Sequence, residues 1–324
     1  MRLLKLVPDN TNIGFVRLRY WAFGLTAALT LAACALVGIK GLNLGVDFVG
    51  GLMIEAKFVQ PPEMDKVRES IDSLGVGDAA LQQFGAPNVV SIRLPPPPSA
   101  DPAANNAVVA KVKAALLRDY PGMVFTRYDT VSGKVSNELI RNGVLAVVLA
   151  VFGIALFGAF RFEWQFGAAT FVSIAHDVLM TLGFFALTQM EFDLNIVAAV
   201  LTIIGYSIND KIVIDDRIRE NMRKYRKMDM KALIDLSVNE TLPRTVMTSL
   251  TIMLALGALL IWGGQVLRGF SAAMLLGIVV GTYSSIYVSS SLLITLGVGN
   301  RNREDDVAKP TGRNANAERV GPRS

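Results

Sequence analysis

Hydrophobic positions follow two rhythms along this chain. In the first, apolar residues run on for about 20 positions, the length a helix needs to cross the hydrocarbon core of a bilayer. Six segments qualify: Tyr20–Ile39, Asn142–Phe160, Phe166–Thr188, Leu194–Asp215, Thr245–Gly264 and Phe270–Val298. In the second rhythm, confined to the stretch between the first two segments, the period shortens. Leu52, Ile54, Ala56 and Phe58 alternate with Met53, Glu55 and Lys57, the pattern of a half-buried strand. Pro61-Pro62-Glu63 opens a helical stretch to Leu74, with Val67, Ile71 and Leu74 on one face. Leu81–Phe84 and Val89–Leu94 predict two strands around the turn cluster Gly85-Ala86-Pro87-Asn88, and Pro95–Pro98 predicts a short extended linker. Ala103–Arg118 predicts a helix with the stripe Val108, Val112, Ala115 and Leu116, and Met123–Tyr128 a last strand. The order β-α-β-β-α-β is that of a split βαβ, ferredoxin-like domain. The expected fold class is a multi-pass α-helical membrane protein with six transmembrane helices and one α+β domain between helices 1 and 2.

Composition agrees and charge orients the plan. Of 324 residues, 52% are hydrophobic and 18% charged, too apolar for an ordinary soluble protein. The net charge of +5 is unevenly placed. Arg2, Lys5, Arg17 and Arg19 precede the first span, a run from Arg217 to Lys231 follows the fourth, and Arg301 and Arg303 follow the sixth. With six spans these places share one side, so the positive-inside rule puts both termini in the cytoplasm. The expected division is residues 1–19 cytoplasmic, 20–39 the first span, 40–141 an outside domain, 142–298 the remaining spans with a basic cytoplasmic loop at 216–244, and 299–324 a disordered tail. Basic clusters of this kind suit anionic lipid, and no nucleic-acid motif is present. Cys34, the single cysteine, allows no internal disulfide. Leu31-Ala32-Ala33-Cys34 has the look of a lipoprotein processing box, but the apolar run continues through Ile39, where a processed start would turn polar.

Polar groups inside the apolar runs carry the chemistry. Gly205-Tyr206-Ser207-Ile208-Asn209-Asp210 puts an amide and a carboxyl inside the fourth span. An ionisable group at the bilayer centre costs about 2.5–3.5 kcal/mol on insertion scales, so its default meaning is handling of ions or protons. Tyr206, Asn209, Asp210 and Val213 share one helical face, expected to look into the bundle. Asp215 and Asp216 fall at the expected cytoplasmic boundary, where simple solvation is the expectation. His176-Asp177 lies in the middle of the third span. A lone histidine is commonly structural, yet the neighbouring carboxyl at membrane depth makes a proton relay a second reading for both. Consecutive residues point about 100° apart on a helix, so the two cannot serve one site equally.

Thr241-Leu242-Pro243-Arg244-Thr245 opens the fifth span. Arg244 either snorkels to the interface or turns inward to pair with Asp210. Thr245, Thr248, Ser249 and Thr251 either line a polar path or are small residues that permit close packing. After the first span, the glycines of Gly45-Val46-Asp47-Phe48-Val49-Gly50-Gly51 permit a tight backbone path, and Asp47 suits a helix cap or an anchor to another chain. No metal cluster, phosphate loop, cofactor fingerprint or nucleophile–base pair is present, which argues against a chemical enzyme.

These segments together resemble the SecD/SecF family of bacterial protein-export membrane proteins, related to the resistance–nodulation–division exporters. The likeness covers residues 1–298. Gly45–Gly51 matches G-V-D-F-x-G-G, and Gly205–Asp210 with Asp216–Glu220 matches the long signature G-Y-S-I-N-D…D-R-I-R-E. Val135-Ser136-Asn137-Glu138-Leu139 resembles V-S-x-E-L at the start of the second span, and His176-Asp177 and Arg244-Thr245…Thr248-Ser249 fall in place.

The resemblance implies a location in the bacterial inner membrane, with residues 40–141 periplasmic. It implies SecD as a partner of the same six-span plan, the SecYEG channel, YajC and YidC as further companions, unfolded preprotein as cargo and no cofactor. Export would draw on the proton gradient. Asp210 and Arg244 then sit at positions taken to carry protons, near a carboxylate of SecD. Asn209 stands beside them, and Asp177 and His176 are further relay candidates. Asp47, Gly50, Gly51, Asp216, Arg217 and Glu220 are motif residues of structural kind.

Three departures stand out. Lys211 replaces a usual small hydroxyl residue, Asp215 a common aromatic, and Ser132-Gly133-Lys134 a usual Val-Gly-Pro. Lys211 is expected to pair with Asp215 four residues on. Two rival functions share the intramembrane carboxyl: a proton-coupled exporter of a small solute, and a non-catalytic translocon scaffold with Asp210 as helix glue.

Overall fold

A computed structural model of the protein describes residue 8 and residues 11–77, 79–83, 86–95, 102–131 and 133–298. The expectations for the N-terminal Arg2 and Lys5, Phe84 and Gly85, the linker beyond Pro95, and the tail lie outside the described residues.

Among the described residues, six helices are long and apolar enough to cross a membrane. The first, α1 (Arg19–Lys40), follows a 3-10 turn at Val16–Leu18. A short α2 (Val46–Val49) leads into the α+β domain. The domain comprises β1 (Gly51–Lys57), α3 (Met64–Asp72), β2 (Ala80–Gln83), β3 (Val89–Leu94), α4 (Pro102–Asp119) and β4 (Val124–Val131). The other spans are α5 (Gly133–Arg161), α6 (Trp164–Thr188), α7 (Leu194–Lys224), α8 (Met230–Trp262) and α9 (Gly264–Tyr283). A π-turn at Ser284–Ser289 joins α9 to α10 (Ser290–Thr295).

The sheet order is β2-β3-β1-β4 with every neighbouring pair antiparallel. With the βαββαβ element order, this is the arrangement of a split βαβ unit. One face packs Leu52, Ile54, Ala56, Val90 and Ile92 against Val67 and Ile71 of α3 and Val109, Val112 and Leu116 of α4. Val109, not Val108, joins the fully packed stripe, because i, i+3 spacing to Val112 fits the sheet better than i, i+4. The other face differs from the alternating expectation. Met53 and Glu55 are also buried, because this face covers a 360 Å³ cleft over one end of the helix bundle. Glu55 stays satisfied there through Thr126 Oγ1, 2.9 Å from its carboxylate.

Most membrane helices are longer than their apolar windows. Helix α7 continues to Lys224 and α8 begins at Met230, so the basic stretch expected as a loop is two helix ends and a short turn. Pro243 therefore lies inside α8 instead of opening it. A proline in that position removes one rung of the hydrogen-bond ladder, and tertiary packing on both sides carries the helix through. Helix α5 is exposed along most of its length, whereas α6, α7 and α9 form the packed centre.

Glycines set the closest approaches. A Cβ on Gly277 would sit 2.4 Å from Ile203, and one on Gly281 would sit 3.2 Å from Ser207. This Gly-x-x-x-Gly spacing on α9 lets α7 press against it backbone to backbone. Gly183 of α6 meets Ala33 of α1 in the same way, at 2.5 Å from a built Cβ.

Candidate functional site

The close contact of α7 with α9 brings polar side chains from three elements to one buried point. Asp177 of α6 is fully buried. Its Oδ2 accepts from Ser207 Oγ of α7 at 2.6 Å and from Ser284 Oγ of the π-turn at 3.0 Å. Lys211 Nζ of α7 stands 3.2 Å from the same oxygen. Lys211 also donates to Ser207 Oγ, and reaches Ser284 Oγ at 3.5 Å. On the other side, His176 Nδ1 lies 3.2 Å from Asp177 Oδ1. The i, i+4 spacing of Ser207 and Lys211 stacks them on one face of α7, and the lysine leans back toward the helix N-terminus as long helical side chains do. The π-turn widens α9 at Ser284, where a local break in pitch is commonly tied to function.

The adjacent residues are buried carboxyls with fewer partners. Asp210 is 3% exposed, and its Oδ2 has no hydrogen-bond partner among the described residues. Asp215 is equally buried, with neither a hydrogen bond nor an ion pair among the described residues. The expectation of solvation fails for Asp215, since α7 is covered there by the apolar cluster of Phe166, Ile214, Ile218 and Ile234. It holds for Asp216, which is exposed. The expected Lys211–Asp215 pair is also absent: the lysine turns the other way, to Asp177. Three carboxyls thus share one buried ammonium. The charge of Lys211 reaches all three of them. A single cation cannot neutralise three carboxylates in a medium where an unpaired charge costs several kcal/mol, so protons or outside cations must complete the balance.

The face of Tyr206, Asn209, Asp210 and Val213 lies at the edge of the bundle instead of its centre. Asp210 is buried on the inward side, while Asn209 is exposed. Arg244 is exposed as well and forms no ion pair among the described residues, though its charge reaches Asp210. Tyr206 Oη meets Ser249 Oγ at 2.7 Å, and Ser249 Oγ meets Thr282 Oγ1 at 3.0 Å. These hydroxyls form a chain across α7, α8 and α9, one helical turn from Asp210. Thr248 and Thr251 stand outside it, each bonded back to its own helix.

The remaining motif residues are structural in their contacts. Asp47 Oδ2 accepts from the backbone N–H of Leu194 at 3.0 Å, so from α2 it satisfies the first N–H of α7, beside the N-cap Asp193. Gly50 and Gly51 hold φ of 76° and 111°, a region that disfavours side chains. Arg217 bridges Glu220 at 2.6 Å and Glu240 at 2.7 Å, tying the ends of α7 and α8 together. Among the described residues no His, Cys, Asp and Glu group is placed to hold a metal ion.

Comparison with known proteins decides the family. A model described as protein export membrane protein SecD/SecF, C-terminal, matches residues 111–299, and one for the SecD/SecF GG motif matches residues 35–62. The chain belongs to the SecD/SecF family of protein-export membrane proteins. Among curated SecD/SecF relatives, protein translocase subunit SecF of Ketogulonicigenium vulgare is 43% identical, over 91% of this chain and 92% of its own length. The SecF subunit of Rickettsia felis is 38% identical, over 90% of this chain and 94% of its own. A crystal structure of SecDF from Thermus thermophilus, described as a translocon-associated membrane protein, matches with a TM-score of 0.80 at 36% identity. That match covers 89% of this chain but only 39% of the longer SecDF chain. The chain is thus a multi-pass membrane subunit of the Sec export family.

The Ser207–Lys211–Ser284 setting of Asp177 was not expected from the sequence. Its trace is present there: Ser284, Ser285 and Ser289 to Ser291 crowd the sixth span, and Ser207 and Lys211 sit one turn apart in the fourth.

Proposed function

We propose that this chain is one half of a paired export unit in the bacterial inner membrane, with SecD as the other half and the SecYEG channel as the place of action. Both termini lie in the cytoplasm and the α+β domain lies in the periplasm. The unit couples inward proton flow to the final passage of unfolded preprotein. YajC and YidC are companions of the same assembly.

One observation carries the reading. Asp210 is buried with a partnerless carboxyl oxygen, while Asn209 and Arg244 beside it are exposed at the bundle edge. Polar groups at membrane depth face protein or water, not lipid. A second membrane subunit laid on this edge would close a proton-exchange site between the two chains. Arg244 would supply the cation that favours ionised Asp210, and the Tyr206–Ser249–Thr282 hydroxyls would offer proton donors and acceptors nearby. One proton crossing 100 mV is worth about 2.3 kcal/mol, which biases a two-state domain movement by about fifty-fold.

The test is export of a stalled preprotein into inverted vesicles, with and without a proton gradient. Asp210→Asn keeps the shape of the site and removes its exchangeable charge. The expected result is normal assembly with SecD and loss of the gradient-dependent stage, while ATP-driven initiation continues. An Asp210→Asn protein that still responds fully to the gradient removes this reading in favour of a passive scaffold.

A further inference from the structure

Lys211 has one carboxyl partner, and a second carboxyl stands four residues on along the axis of α7. Its ammonium is fully buried and seated on Asp177, toward the N-terminal end of the helix. Asp215 lies one turn toward the C-terminal end on the same stripe, at i+4, buried and unpaired among the described residues. The seat on Asp177 is redundantly built. Ser207 and Ser284 already donate to Asp177 Oδ2, and His176 faces Oδ1. If the ammonium withdrew, those donors would remain on the carboxylate. A four-carbon stem with a compact charge is the side chain best able to make such a swing.

Resting on the proton-driven reading above, we infer that Lys211 is a movable counter-ion of the export cycle, alternating between Asp177 and Asp215 as Asp210 gains and loses its proton. With Asp210 neutral, the ammonium sits on Asp177, the arrangement observed. When the proton leaves Asp210 for the cytoplasmic side, a new negative charge appears on the residue preceding Lys211. The ammonium moves toward it and is caught by Asp215 on its own face. This draws the hold of α7 on α6 and the π-turn from one level of the helix to another. The titratable groups around Lys211 are Asp177 from α6, with His176 set against its other oxygen, and Asp210 and Asp215 from its own helix. The π-turn presents the hydroxyl of Ser284, and Arg244 of α8 acts through Asp210.

The test uses the full complex in inverted vesicles and reads gradient-dependent export as a function of pH. Asp215→Asn leaves the observed Lys211–Asp177 pair intact and removes the second station. Gradient-dependent export is expected to fall about tenfold, within the usual size of coupling between two sites, with a displaced pH profile and unchanged ATP-driven initiation. Lys211→Met with Asp177→Asn removes both charges together, keeps the buried point neutral, and is expected to assemble yet remain uncoupled. An unaltered rate and pH profile in Asp215→Asn, or full coupling in the double variant, overturns the inference and leaves the pair a packing feature. Asp210→Asn run alongside separates the two levels. If it too retains full gradient response, the underlying reading fails; if it alone loses the response, only the movable counter-ion fails.

Discussion

Lys211 and Asp177 form a pair that is far from lipid and far from water. Removing one partner of such a pair leaves a buried charge behind, and that is where the large energies lie. Lys211→Met alone is expected to destabilise the helix bundle by about 3–5 kcal/mol. Lys211→Met with Asp177→Asn is expected to recover most of that loss, since neither charge then remains. Thermal unfolding of the purified protein in lipid discs, read as a double-mutant cycle with Asp177→Asn alone as the second single variant, measures the difference; a double-variant loss equal to the sum of the two single losses would show that no charge coupling exists. The sequence revealed the unusual residues but not their pairing. Asp177, Asp210 and Lys211 are conspicuous because they interrupt apolar runs. Their partners are not, because Ser284 lies 107 positions from Asp177, and a serine in a membrane helix commonly bonds to its own backbone. The i, i+4 rule favoured Lys211–Asp215. The better seat on Asp177 exists only once Gly281 allows α9 to bring Ser284 alongside α7.

Helices and strands were legible to the extent that their periodicity was clean. The six spans and the βαββαβ order follow from runs and alternations that burial enforces. Boundaries were not legible where helices extend past the apolar window on charged residues, as α7 and α8 do at Arg217 and Glu240. The second buried face of β1 was hidden because Met53 and Glu55 look like solvent-facing residues until the bundle end lies over them. Two devices fix how elements meet. Asp47 of α2 accepts from the first N–H of α7, so Asp47→Ala is expected to cost about 1 kcal/mol in stability, the usual effect of losing such an acceptor. Asp47→Asn should retain most of it, and denaturant unfolding of the two variants compares them. Gly277→Ala places a methyl where Ile203 already stands. Overpacking of this kind costs about 1–3 kcal/mol, and it should loosen Ser284 from Asp177 as well, which faster hydrogen exchange in the π-turn would register.

At the scale of the molecule, the α+β domain and the helix bundle meet at a polar seam. Arg93 bridges Glu191 at 3.2 Å and donates to Asn43 Oδ1 and the carbonyl of Leu44, while Asn43 Nδ2 reaches Gln82 and the carbonyl of Gln189. Burial pushes the Glu191 carboxyl above its ordinary 4.5 against the opposing pull of Arg93, and burial likewise raises Asp193 above 3.8. Both groups therefore hold protons more tightly when docked. Docking is strongest below the ordinary values and weakens as pH rises through the raised ones. Acidifying through the raised values is expected to tighten the seam, seen as greater hydrogen-exchange protection at Asn43 and Leu44. Glu191→Gln should flatten that response, and an equally steep response in the variant would point to other groups. At the opposite end of the bundle, Ile13 and Val16 are bonded to Asn239 and Asp235 of α8 just before α1 begins. The other end of α1 leads through Gly41 to Asp47, which holds the start of α7. Helix α1 is thus a tie rod strung between the Asp235–Asn239 segment of α8 and the foot of the α+β domain, a link that does not run through the charged centre.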